Sequence, residues 1–125
     1  MKVIVERDLS TATCGDIAIT AAEGGIGYWS VILRYDYGRW CDEESSGCSE
    51  VPEDFVFYTI RDEAGMPGLY DITPALIRRG IQLAVSTGGL RADLLEQLHG
   101  DFDEIDSEVA DCVVQLGCFG EVVYG

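Results

Sequence analysis

The chain carries 23 Asp and Glu against 8 Lys and Arg, a formal net charge of -15 over 125 residues. Self-repulsion on that scale opposes any compact state, so a fold must set a substantial apolar interior against it. Apolar residues make up 47% of the chain, the ordinary share for a globular protein. Disorder combines high charge with low hydrophobicity, and the second condition is not met. The chain therefore reads as a folded domain with a very acidic surface. Its length suits a single domain, 1–125, with room for a real core.

The same charge restricts partners. It disfavours direct binding to nucleic acid or an anionic membrane and favours a basic surface, attracted at long range. No apolar run reaches the ~18 residues of a membrane span. Met1-Lys2-Val3-Ile4-Val5-Glu6-Arg7-Asp8 meets charge too soon for a secretory signal. The expected location is a cytoplasm, where cysteines default to reduced thiols. Cys14, Cys112 and Cys118 fall in apolar or helical contexts, where Cys behaves as a small hydrophobe. The sequence leaves the role of Cys41 and Cys48 open, along with the oligomeric state, for which a homodimer is one option.

Periodicity and punctuation predict the elements. Residues 2–7 read as a Val/Ile strand. Residues 9–24 read as a helix capped by Ser10, Thr11 or Thr13 and stopped by Gly24-Gly25, since glycine tolerates a left-handed stop. Residues 27–35 read as a strand with Trp29, Val31, Leu33 and Tyr35 on one face. An acidic loop, 36–53, leads to a strand at 54–61, a turn at 62–68 and a returning strand at 69–72. Thr73-Pro74 opens a helix whose buried stripe is Leu76, Ile77, Ile81, Ala84 and Val85. Gly80 lies on that stripe, which predicts close packing against another element. A short helix at 90–98, a last helix at 104–117 and a docked apolar tail complete the order β-α-β-β-β-α-α-α. The expected class is α+β: a small, mostly antiparallel sheet of three to four strands, covered on one side by about four helices.

The acids gather in two stretches, Asp36–Glu63 and Asp101–Asp111. On the last helix, Ile105, Val109, Cys112 and Leu116 face the core, which places Glu104, Glu108 and Asp111 along one flank at i, i+4, i+7. Carboxylates spaced about 5–6 Å apart approach the ~3.4 Å phosphate repeat of a DNA strand, so the row could act as a nucleic-acid mimic. A solvated helix face shows the same pattern without any partner. The second candidate row is Asp42, Glu43, Glu44, Glu50, Glu53 and Asp54, with Trp40 as an aromatic anchor. Trp40 could equally pin the loop to its own domain.

Other chemistries find little in the sequence. Cys41-x6-Cys48 and Cys112-x5-Cys118 lack zinc spacing, and no calcium loop is present, so no metal or cofactor is expected. Glu23-Gly24-Gly25-Ile26-Gly27 runs from helix to strand, the reverse of a phosphate loop. G-x-S-x-G and H-E-x-x-H are absent. Acids are too abundant to single out a glycosidase-like pair.

Two segments, Glu23-Gly24-Gly25-Ile26-Gly27-Tyr28-Trp29 and Gln115-Leu116-Gly117-Cys118-Phe119-Gly120-Glu121-Val122-Val123-Tyr124-Gly125, together with the Asp71-Ile72-Thr73-Pro74 helix start, resemble small acidic proteins encoded by phages and prophages of high-GC bacteria. The resemblance implies a setting, a phage accessory gene whose product blocks host defence or a host nucleic-acid enzyme. It carries over no catalytic or binding residue.

The leading expectation is a non-enzymatic inhibitor that binds a basic, nucleic-acid-binding host protein. The alternative is a nucleotide or small-ligand sponge using Arg78, Arg79 and Arg91, the basic residues near helix ends. A third reading is a small hydrolase using buried carboxylates, which would require carboxyl groups with strongly perturbed pKa values in a pocket.

Overall fold

A computed structural model describes residues 9–35, 41–42, 47–48, 50–63, 67–87 and 105–124. The strand expected at 2–7 and the short helix expected at 90–98 lie outside the described residues. The described elements are α1 Thr11–Gly24, β1 Ser30–Tyr35, β2 Cys41–Asp42, β3 Gly47–Cys48, β4 Tyr58–Asp62, β5 Leu69–Ile72, α2 Pro74–Thr87 and α3 Ser107–Phe119. The class is α+β. A three-stranded antiparallel sheet has the order β1-β4-β5, and β2 pairs with β3 in a separate two-stranded ladder.

Local chemistry sets the helix boundaries. Ser10 caps α1, its hydroxyl accepting from the Thr13 N–H at 3.1 Å. Thr73 accepts from the Leu76 N–H at 3.1 Å, with Pro74 at the first helical position. Asp106 accepts from the Val109 N–H at 2.9 Å and starts α3, two to three residues later than the sequence suggests. Gly120, at φ +79°, ends α3 in the left-handed conformation that glycine favours. Gly25 ends α1 differently, at φ -111°. Its glycine is needed for space: a Cβ there would meet the Ser107 carbonyl oxygen at 2.6 Å.

In the sheet, Ile32, Ile60 and Tyr70 are register partners, as are Val31, Arg61 and Leu69. Ile60 and Ile72 are fully buried, whereas Arg61, Leu69 and Asp71 are exposed, so one face meets the core. The register slips between Ile32 and Arg34. This bulge breaks the period-two expectation for β1: Trp29 is buried, but Leu33 is 47% exposed and Tyr35 38%. The strand expected at 54–61 begins later, at Tyr58. Residues Phe55–Phe57 approach it through a turn in which Phe55 N–H donates to the Pro52 carbonyl, and Phe57 N–H then bonds Ile72 at 2.8 Å.

Three helices share one core with the inner sheet face. Tyr58 donates its hydroxyl to the Ala18 carbonyl at 2.7 Å, tying β4 to α1. Tyr70 meets Phe119 edge to face, tying β5 to α3. The α2–α3 crossing is very close. A Cβ on Gly80 would sit 2.1 Å from the Val113 carbonyl oxygen, and one on Gly117 would sit 2.5 Å from Leu76 Cδ2. The close packing expected at Gly80 is therefore present. It also leaves α3 buried on nearly all sides from Val109 to Gly117.

Candidate functional site

Burial of α3 decides the fate of its acids. Asp111 is 6% exposed. Its Oδ1 accepts from Trp29 Nε1–H at 2.8 Å and from Gln115 Nε2–H at 2.9 Å, and its Oδ2 accepts from the Tyr28 hydroxyl at 2.6 Å. Asp111 therefore leaves the expected surface row. A helix packed on several sides has no free flank at that position, and a buried carboxylate must collect donors. Burial, followed by the bond to Asp111, pushes the Tyr28 hydroxyl above its ordinary pKa. Glu108 stays exposed. Glu104 lies outside the described residues.

The same group of side chains docks the tail. Gln115 is fully buried. Its Oε1 accepts from the Val123 and Tyr124 N–H groups, each at 2.8 Å, and its amide donates to the Tyr124 carbonyl at 3.1 Å. The Tyr124 ring stacks on Trp29 at 5.6 Å, and its hydroxyl donates to Asp62 Oδ2 at 2.7 Å. That bond, followed by burial, raises the Tyr124 pKa. The Gly24–Trp29 and Gln115–Tyr124 segments, far apart in sequence, thus meet through Tyr28, Trp29, Asp111, Gln115 and Tyr124. In these segments the work of the paired residues is structural.

The loop acids divide in the same manner. Glu50 accepts from the Ala12 N–H at 2.8 Å and the Thr11 hydroxyl at 3.1 Å, and the Thr11 hydroxyl oxygen accepts from Val51 N–H at 2.9 Å. The Ala12 N–H, followed by the Thr11 hydroxyl, holds the Glu50 carboxyl below its ordinary pKa. It acts as a second cap for α1, supplied from a distant loop. Glu53 takes both oxygens to Arg78, with Nη2 to Oε2 at 3.1 Å. Asp54 is exposed. Asp42 lies in β2. Trp40, Glu43 and Glu44 lie outside the described residues.

Arg78 is correspondingly occupied. Besides Glu53 it donates to the Leu9 carbonyl, and the bond to Glu53 raises its pKa. It clamps the loop and the start of α1 to α2, which removes it from an anion site. Arg79 is exposed, and Arg91 lies outside the described residues.

Two surface features remain. Near the α1 C-terminus, Gly24 and Gly25 abut Ser107. Exposed Glu23 therefore shares a corner of the fold with Asp106 and Glu108, both exposed at the start of α3. Sequence spacing misses this grouping, because Glu23 comes from another helix. On the outer sheet face, a cleft of about 320 Å³ is lined by Arg34, Phe55, Val56, Phe57, Tyr58, Thr59 and Asp71. Arg34, Thr59 and Asp71 stand in register across the three strands, and Thr59 donates to Asp71 Oδ1 at 2.8 Å. Among the described residues no group of three or more metal-ligating side chains converges, and no helix is long and apolar enough to cross a membrane.

No protein-family model matches the chain, and comparisons with curated proteins and with solved structures find no match.

Proposed function

We propose that this is a non-enzymatic acidic binding protein of the phage accessory type, which inhibits a basic host protein by presenting carboxylates as nucleic acid presents phosphates. The supporting observation is where the acids sit. Asp62 and Asp111 are the only buried acids among the described residues. Glu23, Glu50, Glu53, Asp54, Glu63, Asp71, Asp106, Glu108 and Glu121 are exposed. Of the four described arginines, Arg61 pairs with Glu63 at 3.5 Å and Arg78 with Glu53, whereas Arg34 and Arg79 are exposed and far outnumbered by the exposed acids. A surface of this kind attracts a cationic partner at long range and rejects an anionic one. The working acids are Glu23, Glu108 and Asp54, joined from the sequence reading by Asp42, Glu43, Glu44 and Glu104 with Trp40 as the anchor. Glu50, Glu53, Asp106 and Asp111 serve the fold.

The test is a pull-down from nuclease-treated host lysate eluted by a salt gradient, followed by titration of the purified retained protein. Binding that weakens steeply with salt and falls at least tenfold in Glu23→Lys/Glu108→Lys, with an unchanged urea midpoint, supports the reading. Unchanged affinity in that variant would remove the corner from the interface.

A second reading, small-ligand binding, moves from Arg78, Arg79 and Arg91 to the outer cleft, where Arg34 supplies the cation and Phe55 and Phe57 the apolar wall. Absorbance at 260 nm co-purifying with native protein, and lost in Arg34→Ala, would favour it.

A further inference from the structure

Among the described residues the two-stranded ladder has two rungs, Cys41 opposite Cys48 and Asp42 opposite Gly47. In an antiparallel ladder, opposed Cα atoms stand about 4.5 or about 5.5 Å apart, according to the type of rung. Disulfides span Cα separations of about 4.4–6.8 Å, so either type of rung fits. Opposed residues also share one face of the ladder. The backbone register thus places the two Cα atoms at a separation that a disulfide spans.

β3 lies beside α1, and the residues that follow it are fastened to the first turn of α1 through Glu50 and Val51. The remaining cysteines, Cys14, Cys112 and Cys118, form no disulfide, and the first two are buried. Burial pushes the Cys14 thiol up to about 11 and the Cys118 thiol up to about 12, which keeps both protonated and slow to react.

We propose that Cys41 and Cys48 form a reversible intramolecular disulfide, a redox couple that cross-links β2 to β3. With a disulfide such as oxidised glutathione as oxidant, one of the two thiolates attacks a glutathione sulfur and releases one glutathione thiolate. The other then attacks the mixed disulfide and releases the second. The dithiol loses two electrons and two protons, and one glutathione disulfide becomes two thiols. The closed ring contains Asp42, Glu43 and Glu44. Closure would fix the spacing of these acids, a consequence that rests on the proposed partner surface, whereas the cross-link itself does not.

The test incubates the folded wild-type protein at about pH 8.5, near the ordinary thiol pKa, with oxidised glutathione, then alkylates it in denaturant and maps the peptides. The expected product is a monomer lighter by two hydrogens, with Cys41 joined to Cys48 and Cys14, Cys112 and Cys118 alkylated. Dithiothreitol added before alkylation should instead leave all five cysteines alkylated. In Cys41→Ser, Cys48 should instead retain one glutathione. If in wild type both residues stay alkylatable, each retains glutathione, or either pairs with another cysteine or another chain, the proposal is overturned.

Discussion

Trp29 Nε1–H donates to Asp111 Oδ1 at 2.8 Å across 82 residues of sequence, and both side chains are buried. Asp111 also satisfies Gln115 and Tyr28. In Asp111→Ala the buried indole and amide donors lose this acceptor, which should cost about 2–4 kcal/mol. Asp111→Asn keeps one carbonyl oxygen and should cost less, about 1–2 kcal/mol. Urea unfolding followed by circular dichroism checks both values. A change within about 0.5 kcal/mol for Asp111→Ala, the range of ordinary surface sites, would mean that the bond contributes little.

Gly80 and Gly27 should respond oppositely to the same substitution. Gly80→Ala gains about 1 kcal/mol of helix propensity but places a Cβ 2.1 Å from the Val113 carbonyl oxygen, a backbone atom that cannot rotate away. Overpacking of this kind should leave a net loss of about 2 kcal/mol. Gly27→Ala meets nothing within 4 Å and should be neutral or gain up to about 1 kcal/mol. Thermal unfolding of the two variants side by side reads the difference.

Glu50 should contribute to the acid limb of stability. Its folded pKa is depressed, so its contribution is full above the unfolded value of ordinary Glu and is lost as pH falls through the lower folded value. Glu50→Gln should therefore be less stable than wild type at pH 7, and the gap should close on acidification below about pH 4. Denaturant midpoints measured against pH for both proteins test this. A gap that stays constant with pH would show that the charge is not what caps α1.

Tyr124 should separate the two ways in which the tail is held. Tyr124→Phe removes only the donor to Asp62 and should cost about 1 kcal/mol. Tyr124→Ala also removes the stacking on Trp29 and the edge contact with Phe119, and should cost about 3 kcal/mol. Hydrogen exchange at the Val123 and Tyr124 amides, which Gln115 accepts, should accelerate more in the second variant. Equal exchange in both would place the anchoring in the Gln115 bonds alone.

Local signals in the sequence were enough for the features that one residue and its neighbours decide. Ser10, one of three candidate caps, and Thr73 mark helix starts through their own hydroxyl chemistry, and Gly80 on an apolar stripe announces a close crossing. The α+β class and the return of β5 beside β4 follow from the same punctuation. Tertiary packing decided the rest. Asp111 occupies a helical flank position that looks solvated until α3 is enclosed on several sides, and only then does its carboxylate become an acceptor for Trp29. Glu50 and Glu53 look like loop charges until Ala12 and Arg78, 38 and 25 residues away, supply their partners. The bulge at Leu33 depends on how β1 meets β4. Cys41 and Cys48 become opposed only once β2 pairs with β3. Sequence spacing measures separation along one element, whereas burial and pairing depend on which other elements arrive, and that is set by the fold as a whole.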